Sequence, residues 1–315
     1  MPDGIQDALL IYNPASGRRR HRRFAEIEQA ARILKDAGIR TELASTSSPG
    51  AAKDIAKLAV GQRRGMVIAC GGDGTVNEVL NGMAGSDVPL ALLPAGTANI
   101  LAKELGIPWD IPHAARLIPG GIVKRIAIGV AIAPQGKERP EIPPEGRYFL
   151  CVAGAGPDGA IVNGVHSELK KQAGILAYWA EGLRQLFTYD FPLLRARSNG
   201  TEHRASLIVV GRTANYGGPF KITTEASLFD NSFELLTNAA TSRFRYLACL
   251  PALWLGKLRQ MEGIEAWKSD EVTCEPAGTT LVFAQVDGEP IGPLPLKFRI
   301  CQNALSLVVP APKVG

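Results

Sequence analysis

Gly71-Gly72-Asp73-Gly74-Thr75 directly follows a short apolar run, MVIAC at 66–70, and precedes VNEVLNGMAG, which reads as a helix. Glycines at a strand-to-helix turn let the backbone approach a ligand and turn its N–H groups outward. The helix N-terminus adds a positive field, so the segment suits phosphate oxygens. An acid among those glycines repels phosphate unless a cation lies between them, and Asp73 therefore points to a Mg²⁺-nucleotide. Other groups say less by themselves. Asn13-Pro14-Ala15-Ser16-Gly17 follows an apolar run where a turn is expected in any case. Asp287-Gly288-Glu289 reads as a hairpin turn carrying two acids, and Asp230 in SLFDNSF as a turn Asp. GAGPDG at 154–159 satisfies G-x-G-x-x-G. A dinucleotide fingerprint would need a βαβ unit with an acid about 20 residues on, whereas a long amphipathic helix and then strands follow, so NAD binding there is rejected.

The elements around these residues fall into two textures. ALLIY at 8–12, MVIAC at 66–70 and LALLPAG at 90–96 have the pattern of strands buried on both faces of a parallel sheet. FAEIEQAARILKDAG at 24–38 and GAAKDIAKLAV at 50–60 space apolar residues three and four apart, as amphipathic helices do. Strand, helix, strand, helix, strand predicts a doubly wound α/β domain over about 1–132. A Pro- and Gly-rich stretch at 133–147 reads as a hairpin loop. Beyond it, strands are expected at 148–153, 192–198, 204–212, 232–237, 271–275, 280–286 and 304–309, which suggests a β-rich sandwich or barrel domain over 133–299. Two helical stretches, 168–187 and 243–261, interrupt them.

Of 315 residues, 46% are hydrophobic and 21% charged, enough for a proper core and far from a disordered or fibrous chain. The net charge of +5 does not by itself mark a nucleic-acid binder. Most of the excess comes from Arg18, Arg19, Arg20, Arg22 and Arg23 around His21, a run that either faces phosphates or an anionic membrane surface, or forms a solvated first helical turn. Five widely spaced cysteines without a CxxC pair argue against a disulfide framework and a zinc site. No leader pattern opens the chain and no stretch reaches the 18 or more apolar residues of a bilayer span. The expectation is a cytoplasmic protein whose membrane contact is peripheral.

GGDGTVNEVLNG at 71–82, NPASG at 13–17 and PAGTANILAKELGIP at 94–108 together resemble the diacylglycerol kinase catalytic-domain family, the bacterial lipid kinases akin to sphingosine and ceramide kinases. GAGPDGAIV at 154–162, ASLFDNSFEL at 226–235 and VDGEPIGPLP at 286–295 extend the resemblance over nearly the whole chain. It implies a phosphofructokinase- and NAD-kinase-like α/β nucleotide domain, a β-rich lipid-substrate domain, an active site in the cleft between them, and a C-terminal segment at about 300–315 that packs back on the first domain.

By position, the resemblance places Asn13, Ser16, Thr46, Gly71, Gly72, Gly74, Thr75 and Thr97 around ATP, with Asp73 organising nucleotide and metal. Asp287 and Glu289 match the family's acid pair, and Glu289 takes the place of the general base that accepts the acceptor hydroxyl's proton. Asp158 sits where a lipid head group is bound. Asp230, with main-chain carbonyls of Ser227 and Ser232, matches a structural Mg²⁺ site. The sequence departs from the family at Asn231, which replaces the usual Gly but tolerates a left-handed conformation, and at Ile100, which replaces an acid of the metal network. Aromatic and leucine residues (Tyr178, Trp179, Phe187, Leu250, Leu253, Trp254, Leu255) flanked by Lys170, Lys171, Arg243, Arg245, Lys257 and Arg259 have the composition of an interfacial anchor, or of core helices with solvated ends. The implied activity is transfer of a phosphoryl group from ATP, with Mg²⁺, to a diacylglycerol-like or sphingoid lipid at a membrane surface. A homodimer is compatible with it. NAD kinase and a non-catalytic nucleotide-binding regulator are the alternatives.

Overall fold

The computed structural model describes residues 4–17, 20–134, 141–164, 175–217 and 220–312, the side chains of 20–21 and 175–179 excepted. Two compact units emerge. The first takes the chain as far as Ala127 and takes it up again from Gln302; the second is Ile128–Cys301.

The first unit alternates β1 (Asp7–Tyr12), α1 (Arg20–Asp36), β2 (Arg40–Ser45), α2 (Ala51–Gly61), β3 (Val67–Gly71), α3 (Asp73–Met83) and β4 (Leu90–Pro94), followed by short helices α4 (Ile100–Glu104) and α5 (Ile111–Leu117). Its strands run parallel in the order β2-β1-β3-β4. Every residue of β3 and β4 is buried, which is why both read as unbroken apolar runs. All four strands point the same way, so the loops that follow them emerge at one edge of the sheet. That edge is where open α/β sheets bind ligands.

β5 (Ile122–Ile132) leads into the second unit, which continues with β6 (Arg147–Phe149), β7 (Val152–Ala155), α6 (Pro157–Gly164), α7 (Ile175–Thr188), β8 (Leu194–Ser198), β9 (Thr201–Ala205), β10 (Leu207–Gly211), β11 (Asn215–Gly217), β12 (Phe220–Lys221), β13 (Phe233–Asn238), α8 (Arg243–Trp254), β14 (Ile264–Ser269), β15 (Glu271–Pro276), β16 (Phe283–Val286) and β17 (Glu289–Pro293). The last strand, β18 (Leu296–Val309), gives its first half to this unit, pairing with β15, and its second half to the first unit, where Leu307 pairs with Leu90 of β4. An antiparallel sheet of order β14-β13-β10-β7-β16-β17 faces a second set of antiparallel strands. Phe233 of the first stacks on Phe149 of the second at 5.8 Å, and Phe298 meets Phe149 edge-on at 6.3 Å. This aromatic trio is the core between the two layers of a sandwich.

Several elements differ from the sequence expectation. The strand expected at 204–212 is two strands that belong to different sheets. The chain changes sheet at Ser206, whose hydroxyl bonds the Asn238 and Ala240 carbonyls and the Tyr246 hydroxyl. The helix expected over 243–261 stops at Trp254, where the N–H groups of Leu255, Gly256 and Lys257 turn back to close the last turn and Gly256 takes φ 65°. β2, β5, β11, β12, β14 and β17 lie outside the expected strands: β2 and β14 mix polar with apolar residues, and β17 carries two prolines.

Candidate active site

In the first unit the parallel registers place Tyr12 beside Ser45 and Cys70, and Gly71 beside Pro94. Asn13, Thr46, Gly72 and Gly96 therefore stand in one row at the carboxyl ends of four neighbouring strands. Thr46 N–H binds the Tyr12 carbonyl at 2.9 Å and Asn13 N–H the Cys70 carbonyl at 3.2 Å, so the loops begin in fixed positions. Asn13 Oδ1 accepts from Ala15 N–H at 2.8 Å, and Ser16 N–H reaches the Asn13 carbonyl, which makes NPASG a closed turn with Ser16 half-buried. A Cβ on Gly96 would lie 2.4 Å from Gly72 Cα, and one on Gly71 would strike the buried Thr75 side chain. Only bare backbone lets the two loops meet this closely.

Asp73 opens α3, and its Oδ1 accepts the Ile100 N–H at 2.7 Å, joining the Gly-rich turn to the start of α4. Ile100, where the resemblance led to the expectation of an acid, thus contributes a backbone N–H. Gly74 and Thr97 are half-buried. Asn99, which the sequence reading passed over, is buried in a left-handed conformation (φ 46°) and bonds both the N–H and the carbonyl of Gly96. Its place in GTAN was the available signal.

Arg23 requires a correction. It is 6% exposed, and its guanidinium donates to the carbonyls of Ser16 at 3.2 Å and Ala95 at 3.1 Å while pairing with Glu26. Rather than facing an external anion, it clamps two loops of the row. Arg22 is exposed; Arg18 and Arg19 and the side chains of Arg20 and His21 lie outside the described residues.

In the second unit GAGPDG ends β7 and opens α6 against an antiparallel sheet, which is no setting for a dinucleotide fold. Asp158 is buried. Its carboxylate accepts from Gln285 Nε2 at 2.8 Å and from the Tyr216 hydroxyl, and burial pushes its pKa up to about 6. A Cβ on Gly154 would lie 1.9 Å from Asp158 Oδ2, so the glycine makes room for the acid. Gln285 Oε1 in turn accepts the Gly288 N–H at 2.8 Å. Neither Gln285 nor Tyr216 was singled out from the sequence, since no local motif connects them to residue 158.

Asp287 and Gly288 form the β16–β17 turn, both with positive φ (46° and 77°). The Asp287 carboxylate accepts the N–H groups of Leu150, Cys151 and Val152 at 2.8–3.0 Å. Those donors lie where the chain leaves β6 for β7, so Asp287 satisfies a corner of the backbone. Glu289 is the half-buried first residue of β17.

The Mg²⁺ set expected at Asp230, Ser227 and Ser232 is engaged otherwise. The Asp230 carboxylate pairs with Lys268 Nζ at 2.8 Å, the Ser232 carbonyl accepts from Arg212 at 3.0 Å, and the Ser227 carbonyl accepts the Asp230 N–H at 3.0 Å. The donor set does not fit a divalent ion. Among the described residues, no group of three His, Cys, Asp or Glu side chains could hold one.

Along α8, Phe244, Leu250, Trp254 and Leu255 just beyond its end are exposed, as are Arg243, Arg245 and Lys257, while Leu253 is half-buried. Phe187 of α7 is exposed too. Arg259 is held by Glu225 and Glu234 and does not belong to this surface. Lys170 and Lys171 and the side chains of Tyr178 and Trp179 lie outside the described residues. No helix among the described residues is long and apolar enough to cross a membrane.

Residues 7–131 match the diacylglycerol kinase catalytic domain, and residues 151–309 match the YegS C-terminal NAD kinase beta sandwich-like domain. The diacylglycerol kinase of Bacillus subtilis (strain 168) is 30% identical over 98% of both chains. The chain belongs to the diacylglycerol kinase family. Its class is that of the lipid kinases. The diacylglycerol kinase of Staphylococcus aureus (strain MRSA252) is 32% identical to this kinase over 233 residues, 73% of this chain and 69% of that one. The crystal structure of a diacylglycerol kinase from Bacillus anthracis str. Sterne shares the kinase's fold with a TM-score of 0.76 over all of both chains, at 22% identity.

Proposed function

We propose that the enzyme transfers the γ-phosphoryl group of ATP to a hydroxyl of a diacylglycerol-like or sphingoid lipid. The observation that carries this reading is the row of Asn13, Thr46, Gly72 and Gly96 at the carboxyl ends of four parallel strands, closed by a Gly–Gly approach that leaves backbone for phosphates to meet. Hydroxyls, an amide and the N–H groups of the first turn of α3 suit ribose and phosphate oxygens. Ser16, Thr75 and Thr97 supply further hydroxyls, with Gly71 and Gly74 keeping the turn bare. Asp73, at the head of α3, would hold the Mg²⁺ that accompanies the nucleotide and offsets phosphate charge.

Glu289 takes the proton from the acceptor hydroxyl as its oxygen forms a bond to the γ-phosphorus. The bond from that phosphorus to the β–γ bridging oxygen breaks, and ADP leaves. Support for this role is the placing of Glu289 directly after a turn locked by Asp287. Asp287 is thus a positioning residue, not an acid–base group. Asp158, held by Tyr216 and Gln285, is the group proposed to bind the acceptor's polar head. Exposed Phe244, Trp254 and Leu255 among Arg243, Arg245 and Lys257 suit peripheral contact with an anionic lipid surface.

The match of the first unit to the diacylglycerol kinase catalytic domain favours this reading over NAD kinase. Radiolabelled ATP offered with diacylglycerol, monoacylglycerol, ceramide and sphingosine in mixed micelles, and with NAD separately, tests it. Label is expected in one or more lipids. Label in NAD alone would sink the proposal, and ATP binding without label anywhere would favour a regulator.

A further inference from the structure

The stretch from Leu228 to Ser232 turns three of its carbonyl oxygens toward one side chain. Arg212 Nη2 donates to the Leu228 carbonyl at 2.6 Å, and its Nη1 donates to the carbonyls of Asp230 at 2.5 Å and Ser232 at 3.0 Å. Arg212 follows β10, is fully buried, and is anchored by its own N–H to the Cys151 carbonyl at 2.8 Å. A second cation closes the loop from outside, where half-exposed Lys268 of β14 pairs with the Asp230 carboxylate at 2.8 Å. Convergent carbonyls beside a carboxylate are the donor set of a hard metal ion, and here they surround a guanidinium and an ammonium.

We propose that Arg212 is the built-in cation of this loop, taking the place of a structural divalent ion, so that the β-rich unit folds and holds its shape without metal. A planar guanidinium has five donors in a fixed fork, which suits several carbonyls presented from one stretch of chain. Mg²⁺ demands near-octahedral oxygens at about 2.0–2.1 Å and gives up its water reluctantly. To enter, it would have to displace the guanidinium or lie beside it, and like charges repel strongly away from bulk water. Burial draws the Arg212 pKa down to about 10, which leaves it protonated at neutral pH. The covalently attached cation is always present, whereas a free ion must compete for the same oxygens. The proposal is independent of which lipid is phosphorylated and of the Mg²⁺ that travels with ATP.

The test uses the full chain without nucleotide, stripped with EDTA. Its thermal unfolding midpoint is followed by circular dichroism as MgCl₂ is added at constant ionic strength, and Mn²⁺ uptake is followed by electron paramagnetic resonance. The midpoint should move by less than about 1 °C, since a stoichiometric site filled well above its Kd would raise it by several degrees. A saturable rise that vanishes in Asp230→Asn, or one Mn²⁺ per chain that Asp230→Asn releases, would overturn the proposal. Arg212→Gln should lower the EDTA midpoint by several degrees, and a midpoint equal to that of the unaltered chain would show that the loop needs no cation. Lys268→Met, at a half-exposed position, should fold and stay indifferent to Mg²⁺. Metal uptake by that variant would shift the role to the ammonium and overturn the assignment to Arg212.

Discussion

In the first unit the groups offered to a ligand are largely backbone, set by loops so close that a methyl group on Gly96 would stand 2.4 Å from Gly72 Cα. In the second they are side chains, and their partners lie far away in sequence: Gln285 is 127 residues from Asp158, and Leu150 is 137 from Asp287. The two solutions suit the two tasks proposed for them. Phosphate oxygens are many and alike, so a bare glycine turn at the N-terminus of α3 can hold them. Accepting one proton or recognising one head group needs a carboxylate at one place, and a carboxylate in a half-buried sheet needs neighbours to fix it. Substitutions that act on one solution and not the other put this contrast to the test.

The largest effect is expected from Glu289→Gln, which keeps size and hydrogen-bonding capacity but cannot accept a proton at neutral pH. Turnover should fall by roughly 10²–10⁴ while ATP affinity stays within a few-fold, because base catalysis contributes about that much and the glycine loops are untouched. Steady-state kinetics with the best lipid, together with equilibrium ATP binding, measure both. Since Asp287 already secures the turn through three N–H groups, near-wild-type turnover would leave Glu289 without any role in the chemistry.

A smaller loss should follow Gly96→Ala. The new Cβ meets backbone rather than a flexible side chain, so the loops must part, and overpacking of this kind costs typically about 1–3 kcal/mol. ATP affinity should drop about 10- to 100-fold. Gly61→Ala, at the end of α2 where a Cβ meets nothing within 4 Å, should leave it unchanged. ATP binding unaltered by Gly96→Ala would mean that the close approach does not shape the nucleotide site.

The same contrast explains what could be read from the chain beforehand. β1, β3 and β4 are apolar runs buried on both faces, and GGDGT and GTAN follow two of them immediately, so strand, turn and chemistry are written within a dozen residues. Arg23 was misread because it lies in a run of like residues, and composition cannot tell which one turns inward to Ser16 and Ala95. In the second unit, Asp287 meets the N–H groups of Leu150–Val152 only once the chain has changed sheets there, an event with no local signature. Arg212 was invisible for a similar reason: its partners at 228–232 are gathered by the fold, and the metal site expected at Asp230 came from the resemblance alone, the residues themselves reading as a plain turn.

The most discriminating change is Asp158→Asn. Asp158 has its pKa pushed up to about 6 in the folded chain, chiefly by burial, against an ordinary value of 3.8. The native state therefore holds this proton more tightly than the unfolded state does. The resulting stability is fully present below about pH 4, is lost as pH rises through about 6, and is constant above that. At ~1.4 kcal/mol per pH unit, the loss is on the order of 2–3 kcal/mol. Asn imitates the protonated acid: its amide can donate to the Tyr216 hydroxyl oxygen while its carbonyl accepts from Gln285 Nε2. Denaturant midpoints measured from pH 4 to 8 should fall with pH in the unaltered chain, and the part of that fall between pH 4 and 6 should disappear in Asp158→Asn, which should be at least as stable at pH 7. If Asp158 binds the head group as a charged carboxylate, the same variant should also raise the KM for lipid while leaving ATP affinity unchanged, since the backbone row proposed to meet the nucleotide lies in the other unit. An unaltered pH profile would mean that the acid is solvated rather than held, and that the acceptor site is not built around it.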